Sequence, residues 1–329
     1  MTTPIYSLSI SARLTLDMHS LNNEGGEGNQ IQTRMVNIVA ADGRLHNVNA
    51  ISGDMFKHIQ AEHLYHLAKG NEHLPLCGAC EKFDANRISA DDEYLAKLKG
   101  KSDSYAIDLM LERCTLDDLE GNLITSAAGE RRSIPRKSVA EYGWVVGVPV
   151  DEKGRELTTT GSYFHVKYAS EHSGNQEESR EANREQTPFH RPASSGVYAL
   201  VTHYEIARIG YNDITRTYAL EDSARLSRYR ALLESVLYTF IQPKGAMRSA
   251  QLPHLVNTQG VVSYTTGVVP APTVSPLNPK FDEEIQQISA ALNELHAGSV
   301  TNRPFYSLAG LTDIMHELIE TTAPYSLPV

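Results

Sequence analysis

At 329 residues the chain is long enough for one large domain or two modest ones, and a hydrophobic content of 41% makes a sizeable core feasible. The formal net charge of −10 argues against indiscriminate nucleic-acid binding, so any such surface must be a local basic stripe on an acidic body. No apolar run approaches bilayer-spanning length, the N-terminus lacks a basic region followed by an apolar one, and three cysteines are too few for a disulfide framework. A cytoplasmic protein without a membrane partner is expected.

Residues 6 to 17 alternate, with Tyr6, Leu8, Ile10, Ala12, Leu14 and Leu16 on one side and Ser7, Ser9, Ser11, Arg13, Thr15 and Asp17 on the other. This predicts a half-buried strand with one polar face. A Gly-rich polar loop, 21–30, follows. Gly53 to Leu67 reads as a helix with Phe56, Ile59, His63 and Leu67 on one stripe. Residues 71–142 are mixed, with short helices near 90–99 and 106–113, and read as an insertion. Residues 143–150 and 162–168 are strand candidates. The polar stretch 170–195 reads as an excursion from the body. A strand is predicted over 196–206, then a helix capped by Asp222 carrying Leu226, Tyr229, Leu233, Val236, Leu237 and Phe240. A strand over 260–266, a linker marked by Pro270, Pro272 and Pro276, and two helices, 281–295 and 309–320, complete the chain. Without its insertions the order is strand, helix, strand, strand, helix, strand, the split βαβ arrangement of α+β ferredoxin-like and RRM folds.

Several motifs suggest chemistry. Ile51-Ser-Gly-Asp-Met-Phe-Lys-His58 opens the first helix with Ser52, Gly53, Lys57 and His58 near its amino end. Unpaired N–H groups and a positive dipole end there suit a phosphate chain. Gly25-Gly-Glu-Gly28 is neither a Walker loop nor a dinucleotide fingerprint, so no cofactor is expected. His58 and His63 are five apart with Glu62 between them, which fails the HExxH spacing of a metalloprotease. Cys77 and Cys80 have metal-ligand spacing, but a second pair is missing. Cys114 and a histidine such as His73 would have to complete a tetrahedral structural zinc site. Arg131, Arg132, Arg136 and Lys137 form the densest basic cluster, readable as a solubilising loop or as the flank of a binding groove.

Four segments together resemble the DevR-type backbone subunit of type I CRISPR Cascade complexes, the seventh Cas family. They are the first strand with Ser20-Leu-Asn22 and the Gly loop; the 51–58 helix start; Cys114-Thr-Leu-Asp-Asp-Leu-Glu-Gly121; and Gly196-Val-Tyr-Ala-Leu-Val, leading through Arg208-Ile-Gly210 to Gly245-Ala-Met-Arg-Ser249 and Leu252-Pro-His254. The resemblance implies an RRM-like palm (1–70, 143–169 and 196–329), inserted helical fingers (71–142) and a projecting thumb loop (170–195). It further implies a non-catalytic subunit that polymerises along a guide crRNA and holds it for pairing with target DNA, beside other copies and other Cascade subunits. By position, Ser52, Lys57 and His58 would touch the guide backbone. Asn22, Gly28, Asn29 and Arg34 would line the adjoining groove, with Arg248 and Ser249 beside it. Arg184, Phe189 and Arg191 would belong to the thumb, with Phe189 either wedging against a base or neighbouring subunit or anchoring the loop base. A protein that accepts any guide reads phosphate and sugar and leaves sequence to base pairing. The rivals are an RNA endonuclease of the same superfamily and a stand-alone ferredoxin-like binding domain.

Overall fold

A computed structural model of the chain describes residues 2–27, 30–127, 129–165, 189–246 and 249–328. In chain order the principal elements are strands β1 (Ser7–His19), β2 (Met35–Val39) and β3 (Leu45–Ile51), then helices α1 (Gly53–Ala68), α2 (Asp92–Lys97), α3 (Asp103–Arg113) and α4 (Thr115–Glu120). The hairpin β4 (Asn122–Ala127) and β5 (Glu130–Arg136) follows, then β6 (Ala140–Tyr142), β7 (Val145–Gly147), β8 (Thr158–His165), β9 (Phe189–Tyr204) and α5 (Asp222–Ile241). The chain closes with β10 (His254–Thr265), α6 (Phe281–Leu295), β11 (Val300–Phe305) and α7 (Leu308–Thr321). Seven strands line up in the order β11-β10-β1-β9-β7-β3-β2, every neighbouring pair antiparallel. The fold is thus mixed α and β around one large antiparallel sheet, with seven α-helices among the described residues.

Both faces of the sheet are covered. Val261 and Val262 are successive strand residues and point to opposite sides. Val262 joins the main core with Leu8, Ile10, Phe56, Tyr229 and Leu311, whereas Val261 joins Phe281 and Ile285 of α6. Helices α1, α5 and α7 therefore lie on one side and α6 on the other. The polar side of β1, read from the alternation as a solvated face, is buried: Ser7, Ser9 and Ser11 are each almost fully covered. The proline-rich segment expected to be a linker lies over it. Ser9 Oγ donates to the Pro272 carbonyl at 2.7 Å, Arg13 donates to the Pro276 carbonyl at 2.8 and 3.0 Å, and the Ala271 amide donates to Ser7 Oγ at 2.9 Å. Prolines leave their carbonyls free to accept, and the hydroxyls of Ser7 and Ser9 are paired there, whereas Ser11 Oγ is buried with no partner.

Other expectations change in detail. Asp222 is the first helical residue rather than the cap; the N-cap is Glu221, without a side-chain cap bond, and Asp222 instead pairs with Arg225 at 3.1 Å. The apolar residues of the 71–142 stretch, among them Leu74, Tyr94, Met110 and Ile134, are continuous with the core of the sheet. Residues 189–195, read as the end of an excursion, form the start of β9, which pairs with β8 from Thr158↔Gly196 to His165↔Phe189.

A bulge steers the chain out of the sheet at the end of β1. Pairing with β9 shifts between Ser194 and Gly196, Met18 adopts φ 56°, and its amide is held by Ser195 Oγ at 2.9 Å. A left-handed non-glycine residue costs about 1 kcal/mol or more, offset here by the fixed exit of the chain. Next in line is His19, buried against Tyr198. Its Nδ1 accepts from the Leu21 amide at 3.5 Å, and Nε2 is buried with no partner. Burial lowers its pKa from 6.5 to about 4. The fold holds the neutral ring, so the associated stability is intact above pH 6.5 and is lost as pH falls through about 4. The full span corresponds to about 3 kcal/mol. Urea midpoints should drop across that window, and His19→Asn should remove this share of the drop; an unchanged pH profile in the variant would count against the assignment.

Candidate nucleic-acid interface

Past the bulge, Ser20 Oγ donates to the Pro192 carbonyl, and Leu21 and Asn22 are delivered to the start of α1. Asn22 Oδ1 accepts the Ser52 amide at 2.9 Å. Ser52 caps α1, its Oγ accepting the Met55 amide at 3.2 Å, which satisfies one of the orphan donors of the first turn. Gly53 is required by close approach: a Cβ there would lie 2.5 Å from the Tyr142 carbonyl oxygen and 3.1 Å from that of Gly143. Gly245 is required in the same way, since a Cβ would lie 2.6 Å from the Leu21 Cα, and the Ala246 amide donates to the Leu21 carbonyl at 3.2 Å. The Arg34 carbonyl accepts from the Ala50 amide and from Asn49 Nδ2, each at 3.0 Å. Segments 20–22, 34, 50–53, 142–144 and 245–246 thus meet in one corner.

The corner carries a side chain that sequence reading passed over. Trp144, the single tryptophan of the chain, precedes Val145, which pairs with Ile51 next to Ser52. Its ring is 46% exposed, and the Arg34 guanidinium carbon lies 5.1 Å from the ring centroid. An aromatic face held by a cation is a stacking platform for any base, and the guanidinium beside it suits phosphate. Trp144 sits in the apolar run Gly143-Trp-Val-Val-Gly-Val-Pro-Val150, which reads as a strand and carries no signal that the indole is exposed.

The other expected residues separate. Successive helical residues turn by about 100°, so Lys57 and His58 leave the Ser52 face on different sides. Lys57 Nζ donates to the Glu120 carbonyl at 3.0 Å and to Ser138 Oγ at 2.7 Å, and burial lowers its pKa, with Glu120 opposing. His58 is exposed and stacks against Phe83, ring centroids 5.5 Å apart. Asp54 is exposed in the first turn of α1 and already balances its dipole. Arg191 lies opposite Tyr163 on the β8–β9 ladder, and Phe189 opposite His165. Ser249 lies in an exposed turn after α5. Gly28, Asn29, Arg184 and Arg248 lie outside the described residues.

The basic cluster at 131–137 does not form a groove flank. Arg132 pairs with Asp103, Arg136 is buried on Asp118, and Lys137 pairs with Glu205 at 2.9 Å and Glu141 at 3.2 Å. Asp118 is a buried hub: its carboxylate meets Arg136 and Arg228, each at 2.7 Å, and accepts the Gly210 amide at 3.1 Å. His63, considered as a metal ligand, donates to the Gln242 carbonyl at 3.0 Å, and His73 is exposed beside Glu72.

A sequence profile of the CRISPR-associated negative auto-regulator DevR/Csa2 family matches residues 10–286. Curated protein sequences give no match. Among solved structures, the chain is similar to a chain of a "CRISPR RNA-guided surveillance complex, pre-nicking" at 11% identity, covering 98% of this chain and 96% of that one, TM-score 0.48. A chain of a "CRISPR RNA-guided surveillance complex" gives 11% identity, 95% and 98% coverage and TM-score 0.45. Csc2 of Thermofilum pendens gives 11%, 97% and 87% coverage and 0.39. The profile spans most of the chain, including the helix start, the 114–121 segment and the 196–254 region that resembled the family in sequence: the chain belongs to the CRISPR-associated DevR/Csa2 family.

Proposed function

We propose that this protein is a non-catalytic guide-RNA-binding backbone subunit of a type I Cascade surveillance complex, whose copies line up along the crRNA and hold it for pairing with target DNA. The observation that carries the reading is the corner at the start of α1, where Asn22, Ser52, two close-approach glycines, Arg34 and Trp144 converge. Asn22, Ser52 and Gly53 are buried and shape the corner, while Arg34 and the half-exposed Trp144 offer a guanidinium for phosphate and an indole face on which any base can stack without its edges being read. The central strands support an RRM-like palm: the run β10-β1-β9-β7 is antiparallel, with β1 first, β7 second, β9 third and β10 fourth in the chain, and α1 and α5 pack together on one side. Residues 71–142 are then the fingers, and the β8–β9 hairpin is the root of the thumb. A neighbouring copy would meet this surface head to tail, an arrangement that extends rather than closes.

The test uses purified protein with several unrelated single-stranded RNAs of equal length. Expected are equal affinities, a linear fall of log affinity with log salt at a slope of about −0.7 per phosphate neutralised, and a mass by light scattering that steps up with RNA length. A strong preference among sequences, a mass that stays at one copy, or divalent-metal-dependent cleavage of the bound RNA would each overturn the reading, the last in favour of an endonuclease.

A further inference from the structure

Three cysteines 37 residues apart in sequence at their widest meet one acid in the interior. Cys77 and Cys80 come from the turn after α1, and Cys114 and Asp117 from the start of α4. All four are buried, and one ligand atom from each lies within 4.8 Å of the other three. The Cys80 Sγ is 3.4 Å and the Cys77 Sγ 3.7 Å from Asp117 Oδ2. From this geometry we infer a structural zinc site with a Cys3Asp ligand set.

The separations decide the kind of metal. A tetrahedral ion with zinc–sulfur bonds of about 2.3 Å and zinc–oxygen bonds of about 2.0 Å places sulfur and oxygen about 3.5 Å apart and sulfurs about 3.8 Å apart. Two sulfur–oxygen distances already have that edge length and the remaining separations are at most 4.8 Å, so one small ion fits with shifts of about 1 Å or less, whereas a multi-iron cluster would force the four atoms apart. Three thiolates select a thiophilic ion over magnesium or calcium.

Local structure orients the ligands as a metal site requires. The Cys80 amide points at Cys77 Sγ at 3.4 Å, so the two-residue spacing folds back on the first sulfur. Cys114 is the N-cap residue of α4 and Asp117 lies three positions on, which puts both side chains on one side of the first turn. The second oxygen of Asp117 is held by Asn122 Nδ2 at 2.7 Å and by the Ile88 amide at 3.4 Å, the outer support that fixes a coordinating carboxylate. The spacing of Cys77 and Cys80 had pointed to such a site with a histidine as fourth ligand; the fold supplies Asp117 and leaves His73 at the surface.

Each coordinating thiol gives its proton to solvent as the zinc–sulfur bond forms, and no electrons are transferred. The consequence is a staple: the ion ties the 77–83 turn, which carries Phe83 under His58 and Tyr65, to α4, which carries the Asp118 hub. The inference rests on no part of the functional reading.

The experiment is elemental analysis of the full chain, purified under reducing conditions and passed over a desalting column with a weak chelator. The expected result is one zinc per chain. Replacing zinc by Co2+ in the wild-type chain should give intense visible d–d bands and a near-ultraviolet thiolate charge-transfer band, a readout that needs no variant. The double variant Cys77→Ser, Cys80→Ser should lose both metal and spectrum, and stripping the wild type with a strong chelator should lower its thermal midpoint. Zinc no higher than the buffer blank after reconstitution with ZnCl2, a Co2+ spectrum without thiolate bands, or full metal retention by the double variant would overturn the assignment.

Discussion

Asp118→Asn should be the most destabilising single polar substitution in this chain, lowering stability by about 3–5 kcal/mol. Its carboxylate is the shared counter-charge of two guanidiniums, Arg136 and Arg228, that are almost wholly shielded from water. Arg136 keeps carbonyl partners at Arg208 and Tyr211, both 2.7 Å, and an outlying contact with Asp213 at 3.4 Å. Arg228 Nε has no partner in any case. The neutral amide removes the charge and presents N–H groups to donors, so Arg228 loses its carboxylate partner and Arg136 keeps only the outlying Asp213. Against a total stability of about 5–15 kcal/mol this is a large fraction, and a thermal midpoint lower by about 10 °C or more is expected by circular dichroism. The triple variant Asp118→Leu, Arg136→Met, Arg228→Met should recover most of the loss, because replacing the whole buried cluster avoids stranding any charge. An Asp118→Asn protein within about 1 kcal/mol of wild type would show that the hub is not electrostatically coupled. The hub explains the paired acids of the 114–121 segment: Asp117 turns toward the thiols, and Asp118 joins α4, the β4–β5 hairpin, the 208–210 turn and α5.

Trp144→Ala should weaken single-stranded RNA binding by roughly ten-fold, within the range of about 1–3 kcal/mol for one stacked base, and by the same factor for unrelated sequences. The indole is half open to solvent and Arg34 lies over it, so removing it takes away both the stacking face and the support of the guanidinium. Trp144→Phe should retain most of the affinity, and Arg34→Ala should show a shallower salt dependence because one phosphate contact is gone. As Trp144 is the sole tryptophan, its fluorescence reports the site directly, and saturating RNA should quench it. Unchanged affinity in Trp144→Ala, together with fluorescence indifferent to RNA, would remove the corner from the binding surface. Because about half of the side chain is buried, Trp144→Ala should also lower the thermal midpoint, so affinities are compared at a temperature where both proteins are folded, which separates loss of contact from loss of fold.

Much of the architecture was legible from periodicity. The strand over 6–17 and the helices α1, α5, α6 and α7 appear at the expected places, because facing the apolar core on one side imposes a period on the residues that supply it, even where, as in β1, the other side is covered as well. Three features escaped. The β4–β5 hairpin carries Arg131, Arg132, Pro135 and Arg136 and has no apolar alternation to announce it. The serine face of β1 looked solvated, since its hydrogen-bond partners lie some 260 residues away at Val269, Ala271 and Pro272. The basic cluster looked like a single patch, but Arg132, Arg136 and Lys137 each found a different acid and Arg131 stayed at the surface.

The candidate interface divides in the same way. From residue types alone came the helix start with Ser52 and Gly53 and the metal spacing of Cys77 and Cys80; the place of Asn22 beside that start was implied by the family resemblance. The first two are local matters, set by caps, glycines and short intervals. Tertiary packing decided that Lys57 is a strut to Glu120 and Ser138, that Trp144 stands beside Arg34, and that Asp117 rather than a histidine completes the thiol cluster. Such outcomes depend on which distant group meets a side chain as it leaves water. A buried charge or thiol takes whatever partner the fold brings within about 3–4 Å, and the chain order carries no record of that distance.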